Sequence, residues 1–231
     1  MLSQLARLLG YRLIRSTMQP PGFDLKRDLT EICEGSPSGI IDVGANHGQT
    51  ATKFHSMFPE ARILSIEPHP ETFRQLESVV SSLPNVRAHH GAVGAERQEL
   101  ELNVMESSEM HSFDNRARNH RLFSGKSIPV QVQTLDDLAK TYQMPEPLLL
   151  KTDTEGHDIE VLRGATELLT SGAVTAIFVE VEFVPIEDVH TNIREVADLL
   201  REYGYGLYSF HDFFHASNGE MRFCNALFRK L

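Results

Sequence analysis

The chain predicts an α/β fold built on a doubly wound, mostly parallel sheet, and three observations support this. Apolar runs of strand length alternate with segments of helical periodicity, the pattern of repeated βαβ units. A glycine-rich turn at 44–48 joins the first such run to a helix, as in open α/β sheets. The last two strand-like runs, 205–210 and 221–229, are joined by a turn around Asn218-Gly219, which predicts an antiparallel hairpin at one edge.

The first elements follow from apolar spacing between turn residues. A helix is expected over 23–33, where Phe23, Leu25 and Leu29 fall on one side. The first strand, 39–43, is an apolar run that follows a Gly-Ser-Pro turn. Helical and strand-like patterns then alternate, which predicts the next elements: helix 49–58, strand 62–67, helix 69–82, strand 86–90 and strand 98–105.

The rhythm breaks at 106–127, which is polar and shows no sustained period. A non-periodic loop of that length in a compact domain is usually functional or disordered. We expect a variable, substrate-facing loop here, with surface disorder as the alternative. The alternation then resumes and predicts the remaining elements: strand 148–153, helix 158–170, strand 174–182 and helix 191–203.

The first 22 residues differ from the rest because they contain arginines and no acid. Leucines near helical spacing predict a short basic amphipathic arm over 1–22, ahead of a single domain over 23–231. We expect the arm to pack on the domain or on a second subunit of a homodimer. Attachment to a membrane surface and an organelle transit peptide are the alternatives.

Composition limits the partners. The chain has 231 residues, 41% of them hydrophobic, enough for one sizeable core. A net charge of −10 argues against nucleic acid as the principal partner, because phosphate binding needs a basic surface. No apolar run reaches the length of a membrane span. Two distant cysteines, Cys33 and Cys224, predict no disulfide framework and favour a reducing, cytoplasmic location.

Residues 40–48, I-I-D-V-G-A-N-H-G, carry the strongest functional signal. Gly44 and Gly48 are expected to let backbone N–H groups approach a ligand, and Glu67 at the next strand tip suits both hydroxyls of a ribose. Asp42 would disfavour a diphosphate and suit a cationic sulfonium cofactor. The alternatives are that Asp42 is a helix cap and Glu67 a solvated strand end.

These residues belong to a set of four motifs. They are D-V-G-A-N-H-G at 42–48, E-P at 67–68, A-V-G at 92–94 and K-T-D-T-E-G-H-D-I-E-V-L-R-G-A at 151–165. With them the chain resembles the FkbM-type methyltransferases over roughly 39–230. The resemblance implies a Rossmann-like class I methyltransferase fold and O-methyl transfer from S-adenosylmethionine.

The resemblance also implies roles for individual residues. The implied cofactor-binding residues are Asp42, Gly44, Asn46, Gly48, Glu67, Ala92, Val93 and Asp153. Asp153, Glu155 and Gly156 fall at the reaction centre, while Ala92 and Val93 fall where the adenine ring is flanked. The chain departs from the family at His89-His90, where related enzymes place an acid, so adenine recognition would rest on backbone groups helped by a histidine. It departs again at His157, where small residues are common.

The reaction needs a group that takes the proton of the acceptor hydroxyl. Strand parity predicts that Asp153, Glu155, Glu180 and Glu182 converge on one crevice. There they would raise one another's proton affinity, or hold a divalent cation such as Mg²⁺. The alternative is that Glu155 caps the next helix and the other two glutamates pair with arginines such as Arg163.

Histidines complete the candidate residues. His157 is expected to act as a general base beside Glu155, with a surface role as the alternative. His211 and His215 are four apart and are interpreted as packing or pocket lining rather than as a metal pair.

The function predicted is O-methylation of a hydroxyl on a sugar, glycan or polyketide-like small molecule. A nicotinamide-dependent oxidoreductase and a noncatalytic cofactor-binding module are the rival hypotheses.

Overall fold

The computed structural model describes residues 8–10, 19–183 and 190–231. The amphipathic arm predicted over 1–22 lies mostly outside the described residues, so it stays a prediction. None of the described helices combines the length and apolar character needed to cross a membrane.

The helices are α1 Leu25–Ile32, α2 Gln49–Met57, α3 Pro70–Val80, α4 Leu135–Thr141, α5 Asp158–Arg163, α6 Thr166–Ser171 and α7 Ile193–Glu202. The strands are β1 Gly39–Val43, β2 Arg62–Glu67, β3 Val86–His90, β4 Ala92–Val93, β5 Gln98–Met105, β6 Phe123–Gln133, β7 Leu148–Thr152, β8 Val174–Glu182, β9 Tyr205–His215 and β10 Met221–Lys230. Two short 3₁₀ helices, Ser108–Met110 and Asn115–Asn119, lie between β5 and β6.

Seven strands form the main sheet in the order β3-β2-β1-β7-β8-β10-β9. All neighbouring strands run parallel except β10, which is antiparallel to β8 and β9. This confirms the predicted doubly wound sheet and its C-terminal antiparallel hairpin. The chain moves outward from β1 to β3 and returns beside β1 as β7. Ligands bind beyond the carboxyl ends of strands at such a reversal, so the β1–β7 junction positions the site.

The core has two halves, one on each face of the sheet. Leu29 and Phe54 bring α1 and α2 onto one face, whereas Leu162 and Leu200 bring α5 and α7 onto the other. Helix α1 begins where Asp24 accepts a hydrogen bond from the backbone of the first turn. The two cysteines are buried in opposite halves and unpaired, as expected from their spacing.

The structure corrects the interpretation of 106–127 as a loop throughout. Its end belongs to β6, which pairs antiparallel with β5 and parallel with β4 in a second, three-stranded sheet. The sequence analysis also missed α4, whose N-cap is Thr134. Most of β6 is exposed or half-buried, so it lacks the apolar run that identifies a core strand.

The helix predicted over 158–170 is instead two short helices, α5 and α6, separated at Gly164-Ala165. A side chain at Gly164 would place its Cβ 2.1 Å from the carbonyl oxygen of Gly94. The absence of a side chain at Gly164 therefore lets the backbone next to β4 pack directly against the end of α5. Strand β9 also extends to His215, five residues beyond the predicted end at 210.

Candidate active site

A cavity of about 390 Å³ opens at the carboxyl ends of β1, β2, β7 and β8. The segment after β5 forms one wall through Ser108, Glu109, His111 and Phe113. Eight predicted site residues line the cavity: Gly44, Asn46, Glu67, Ala92, Val93, Asp153, Glu155 and His157. Two others, Asp42 and Gly48, are buried beneath it.

Glu67 is held in place by backbone groups on both sides. Its Oε2 accepts a hydrogen bond of 3.0 Å from the Asn46 N–H, and its Oε1 accepts one of 2.9 Å from the His69 N–H. The side chain is buried, and burial raises the pKa of Glu67 to about 7, although these two N–H donors oppose the shift. The alternative of a solvated strand end is therefore wrong for Glu67.

Asp42 does not present a free charge to the cavity. It is fully buried, and its Oδ1 lies 3.1 Å from Nζ of Lys151, its register partner on β7. Burial favours the neutral amine, but the Asp42 and Asp153 carboxylates dominate and raise the pKa of Lys151. The expectation that Asp42 attracts a sulfonium and repels a diphosphate is wrong, because this lysine already neutralises it. The helix-cap alternative is wrong as well, since Asp42 lies within β1.

The two glycines of the turn permit close packing around them. Gly44 adopts φ +74°, and a Cβ there would lie 1.9 Å from the Asp153 carbonyl oxygen. Gly48, at φ +88°, would point a Cβ at the side chains of Leu76 and Val79 on α3. These glycines therefore let β1 approach the β7 turn and let α2 approach α3, and their predicted role in ligand approach stays a prediction.

The acidic crevice forms with three of its four predicted members. Asp153, Glu155 and Glu180 line the cavity, whereas Glu182 is buried farther along β8 and does not line it. The proposed pairing of these glutamates with Arg163 is wrong, because Arg163 pairs with Glu160.

Asp158, not Glu155, accepts the hydrogen bonds of the turn that follows β7. Its Oδ1 accepts hydrogen bonds from the Thr152 hydroxyl at 2.6 Å and from the Thr154 N–H at 3.2 Å. Its Oδ2 accepts a 2.7 Å hydrogen bond from the Thr191 hydroxyl near α7. The side chain of Glu155 is thereby left to face the cavity.

His190 joins the two cavity glutamates, and the sequence analysis missed it. Its Nδ1 lies 3.1 Å from Glu180 Oε2 and 3.5 Å from Glu155 Oε2. His190 precedes α7 and is separated from β8 by seven residues, without a motif that marks it. Its ring centroid lies 4.6 Å from that of Phe223 on β10, which forms the adjoining wall.

The remaining histidines differ in whether they line this cavity. His157 lines the cavity beside Phe113, with ring centroids 5.0 Å apart, and its Nε2 is buried without a hydrogen-bond partner among the described residues. Burial lowers its pKa. His89 and His90 do not line the cavity, so neither is the predicted helper in adenine recognition.

His211 packs against α1, where its Nε2 lies 3.2 Å from Asp28 Oδ2. This contact supports the packing interpretation rather than a metal pair with His215. The third histidine that lines the cavity is His111, whose Nδ1 accepts a hydrogen bond of 3.0 Å from the Met105 N–H. Burial, followed by the nearby His69 and His47, lowers the pKa of His111 to about 4.

Comparisons with known proteins agree with this architecture. The family model for the methyltransferase FkbM domain matches residues 42–207. The hexuronic acid methyltransferase AglP of Haloferax volcanii is 29% identical over 165 residues, which cover 71% of this chain and 61% of AglP. The 2-O-methyltransferase NoeI of Sinorhizobium fredii is 22% identical over 186 residues, with 75% of each chain covered.

A solved structure shares the fold. The FkbM methyltransferase from Methylobacillus flagellatus superposes with a TM-score of 0.56 at 14% identity, over 83% of this chain and 43% of that one. The chain thus spans less than two thirds of the length of AglP and less than half of this structural relative.

Proposed function

The chain belongs to the FkbM methyltransferase family, and we propose that it transfers a methyl group from S-adenosylmethionine to a hydroxyl of a sugar or glycan unit. Membership in this family favours methyl transfer over the nicotinamide-dependent oxidoreductase and the noncatalytic module. The sugar acceptor is inferred from two relatives whose names describe a hexuronic acid methyltransferase and a 2-O-methyltransferase. The single observation that carries the proposal is one cavity lined both by an oriented Glu67 and by the three carboxylates of Asp153, Glu155 and Glu180.

The residues of this cavity fit a nucleoside-bearing methyl donor. Glu67 is held by two backbone N–H groups in a geometry that leaves its oxygens able to accept ribose hydroxyls as well. Ala92 and Val93 provide an apolar wall for the adenine ring. Asn46 Oδ1 and His157 Nε2 are buried without partners among the described residues, and a ligand with hydrogen-bonding groups would satisfy them.

S-adenosylmethionine, when bound, supplies a methyl group on a positively charged sulfur. The chain must then hold an acceptor hydroxyl in line with that methyl group, because orientation contributes much of the rate. We assign Asp153 as the residue that takes the hydroxyl proton, since its side chain is 36% exposed at the cavity and follows β7 directly. Once bound, the donor would supply its methyl group to the acceptor oxygen, and the Asp153 carboxylate would take the hydroxyl proton. Lys151, 3.6 Å from Asp153, holds that carboxylate in position.

Isotope transfer tests this proposal. The protein is incubated with methyl-labelled S-adenosylmethionine and oligosaccharides that contain uronic acid or neutral sugar units, and products are identified by mass spectrometry. Asp153→Asn should lower the transfer rate by about 100-fold or more while S-adenosylhomocysteine still binds. The control Asp198→Asn changes an exposed carboxylate that pairs with Arg201 on α7, and it should transfer at the wild-type rate.

Two results would contradict the proposal separately. If S-adenosylhomocysteine does not bind the wild-type protein, the assignment of the cavity is wrong. If it binds but no saccharide is labelled while a non-carbohydrate acceptor is, the assignment of the acceptor class is wrong.

A further inference from the structure

We propose that Glu155, Glu180 and His190 form a binding site for a divalent first-row transition-metal ion. The metal role in catalysis rests on the proposed methyl transfer, but the binding site itself does not. The three residues come from three separate segments. Glu155 lies in the turn after β7, Glu180 lies in β8, and His190 lies in the segment before α7.

The separations of the three side chains match those of metal ligands. One potential ligand atom from each residue lies within 4.8 Å of the others. His190 Nδ1 is 3.1 Å from a Glu180 oxygen and 3.5 Å from a Glu155 oxygen. Adjacent ligands on an octahedral ion with bonds of about 2.1 to 2.2 Å lie roughly 3 Å apart. Small side-chain movements would therefore bring all three atoms to one ion.

The surrounding structure holds these side chains in place. Glu155 adopts φ +50°, and its carbonyl oxygen accepts a hydrogen bond of 2.6 Å from the Ser112 hydroxyl. Glu180 lies within β8, opposite Asn225 of β10. The Phe223 ring packs beside the His190 imidazole. A left-handed backbone at a glutamate carries strain, and such residues concentrate at functional sites.

The charges around the cavity also favour a cation between Glu155 and Glu180. Lys151 is engaged by Asp42 and Asp153, at 3.1 and 3.6 Å. Glu155 and Glu180 instead share the single imidazole of His190, with all three side chains less than 20% exposed. Both carboxylates are largely shielded from water, and an ionised carboxylate in such a place is costly without a partner. A protonated histidine supplies one positive charge, whereas a divalent ion would neutralise both carboxylates.

The ligand types indicate which ion. Imidazole suits first-row transition-metal ions such as Fe²⁺, Ni²⁺ and Zn²⁺, and the two carboxylates also suit Mn²⁺, whereas Mg²⁺ prefers oxygen ligands and retains its waters. Three protein ligands leave positions open toward the cavity, next to Asp153. An acceptor hydroxyl bound there would have its pKa lowered by the ion, and its proton would pass more readily to Asp153. This set replaces the four-carboxylate Mg²⁺ site expected from the sequence, because Glu182 does not face the cavity.

The test measures metal binding directly, before any activity. The full chain is stripped with a chelator and titrated with Mn²⁺ or Mg²⁺ by calorimetry. We expect Mn²⁺ to bind at one site and at least about tenfold more tightly than Mg²⁺. Glu180→Gln and His190→Gln should each weaken Mn²⁺ binding at least about tenfold. Matched controls are Glu160→Gln on α5 and His215→Gln at the end of β9, both outside the cavity, which should bind like wild type.

A spectroscopic measurement covers the case in which the variants fail to fold. Pulsed electron paramagnetic resonance of the wild-type protein with Mn²⁺ should show coupling to one imidazole nitrogen. Absence of Mn²⁺ binding, or binding without nitrogen coupling, would overturn the site and leave His190 as a hydrogen-bonding partner of the two glutamates. S-adenosylhomocysteine binding, measured in parallel on the metal-free protein, separates this failure from failure of the proposed function.

Discussion

Binding of S-adenosylhomocysteine should weaken about tenfold when the pH falls from 8 to 6, because Glu67 must be ionised to accept two ribose hydroxyls. Burial raises the pKa of this carboxyl to about 7 in the free protein. If only the ionised form binds, the apparent dissociation constant scales as 1 + 10^(7−pH), about 11 at pH 6 and about 1.1 at pH 8. Binding therefore releases a proton, and the affinity rises with pH until Glu67 is ionised.

The same raised pKa also affects the stability of the ligand-free protein. Its contribution to stability should fall as pH rises, whereas the affinity for the ligand should rise. A carboxyl whose pKa is raised on folding contributes stability that is present below about pH 4.5 and lost as pH rises through about 7. A rise from 4.5 to about 7 corresponds to about 3 kcal/mol at most for this 5%-exposed side chain. Ligand-free protein should lose up to that amount from Glu67 between pH 4.5 and 8, and bound ligand should restore part of it.

Calorimetric titration with S-adenosylhomocysteine across pH 6 to 8 checks this prediction, with buffers of different ionisation enthalpy to count the released proton. Glu67→Gln should flatten the pH profile and bind weakly at every pH, since a carboxamide has one acceptor oxygen in place of two. Glu77→Gln, on the exposed side of α3, should retain the wild-type profile. A flat wild-type profile, or unchanged affinity in Glu67→Gln, would refute the role given to this carboxylate.

Two further predictions concern the packing beneath the cavity. Lys151→Ala removes the partner of the fully buried Asp42. It should lower the free energy of unfolding, measured by urea titration, by about 3 to 5 kcal/mol. A loss below about 1 kcal/mol would show that Asp42 is neutral. Gly164→Ala places a Cβ 2.1 Å from the Gly94 carbonyl oxygen and should cost about 1 to 3 kcal/mol with a lower melting temperature. Gly206→Ala, whose Cβ would meet only the flexible side chain of Leu231, should lose less, and equal losses would contradict the packing explanation.

Buried parallel strands were the most predictable part of the fold. The predicted bounds of β1, β2, β3, β5 and β8 coincide with those observed. In β1 and β8 this follows because strands covered on both faces are nearly continuous apolar runs ended by turn residues. The carboxyl edge of the sheet was predictable as the candidate site because the glycine turn and the acidic residues follow directly after apolar strands.

Elements stabilised mainly by their partners were not predictable. Strand β6 has few buried residues, and it forms because β5 offers a ladder of backbone hydrogen bonds along nearly its whole length. The single helix expected over 158–170 is divided at Gly164, the residue that meets Gly94. The two glycines are 70 positions apart in the sequence. Local sequence patterns carry no information about such approaches.

Sequence alone determined which residues stand at the strand tips of this protein: the glycine turn at 44–48, Glu67, and the carboxylates Asp153 and Glu155. Tertiary structure alone decided how their charges are balanced. Asp42 is neutralised by Lys151 across the β1–β7 register, and His190 reaches Glu155 and Glu180 from the segment before α7. Electrostatic partners are chosen by proximity in space and by burial, and neither is written in the spacing of residues along one strand.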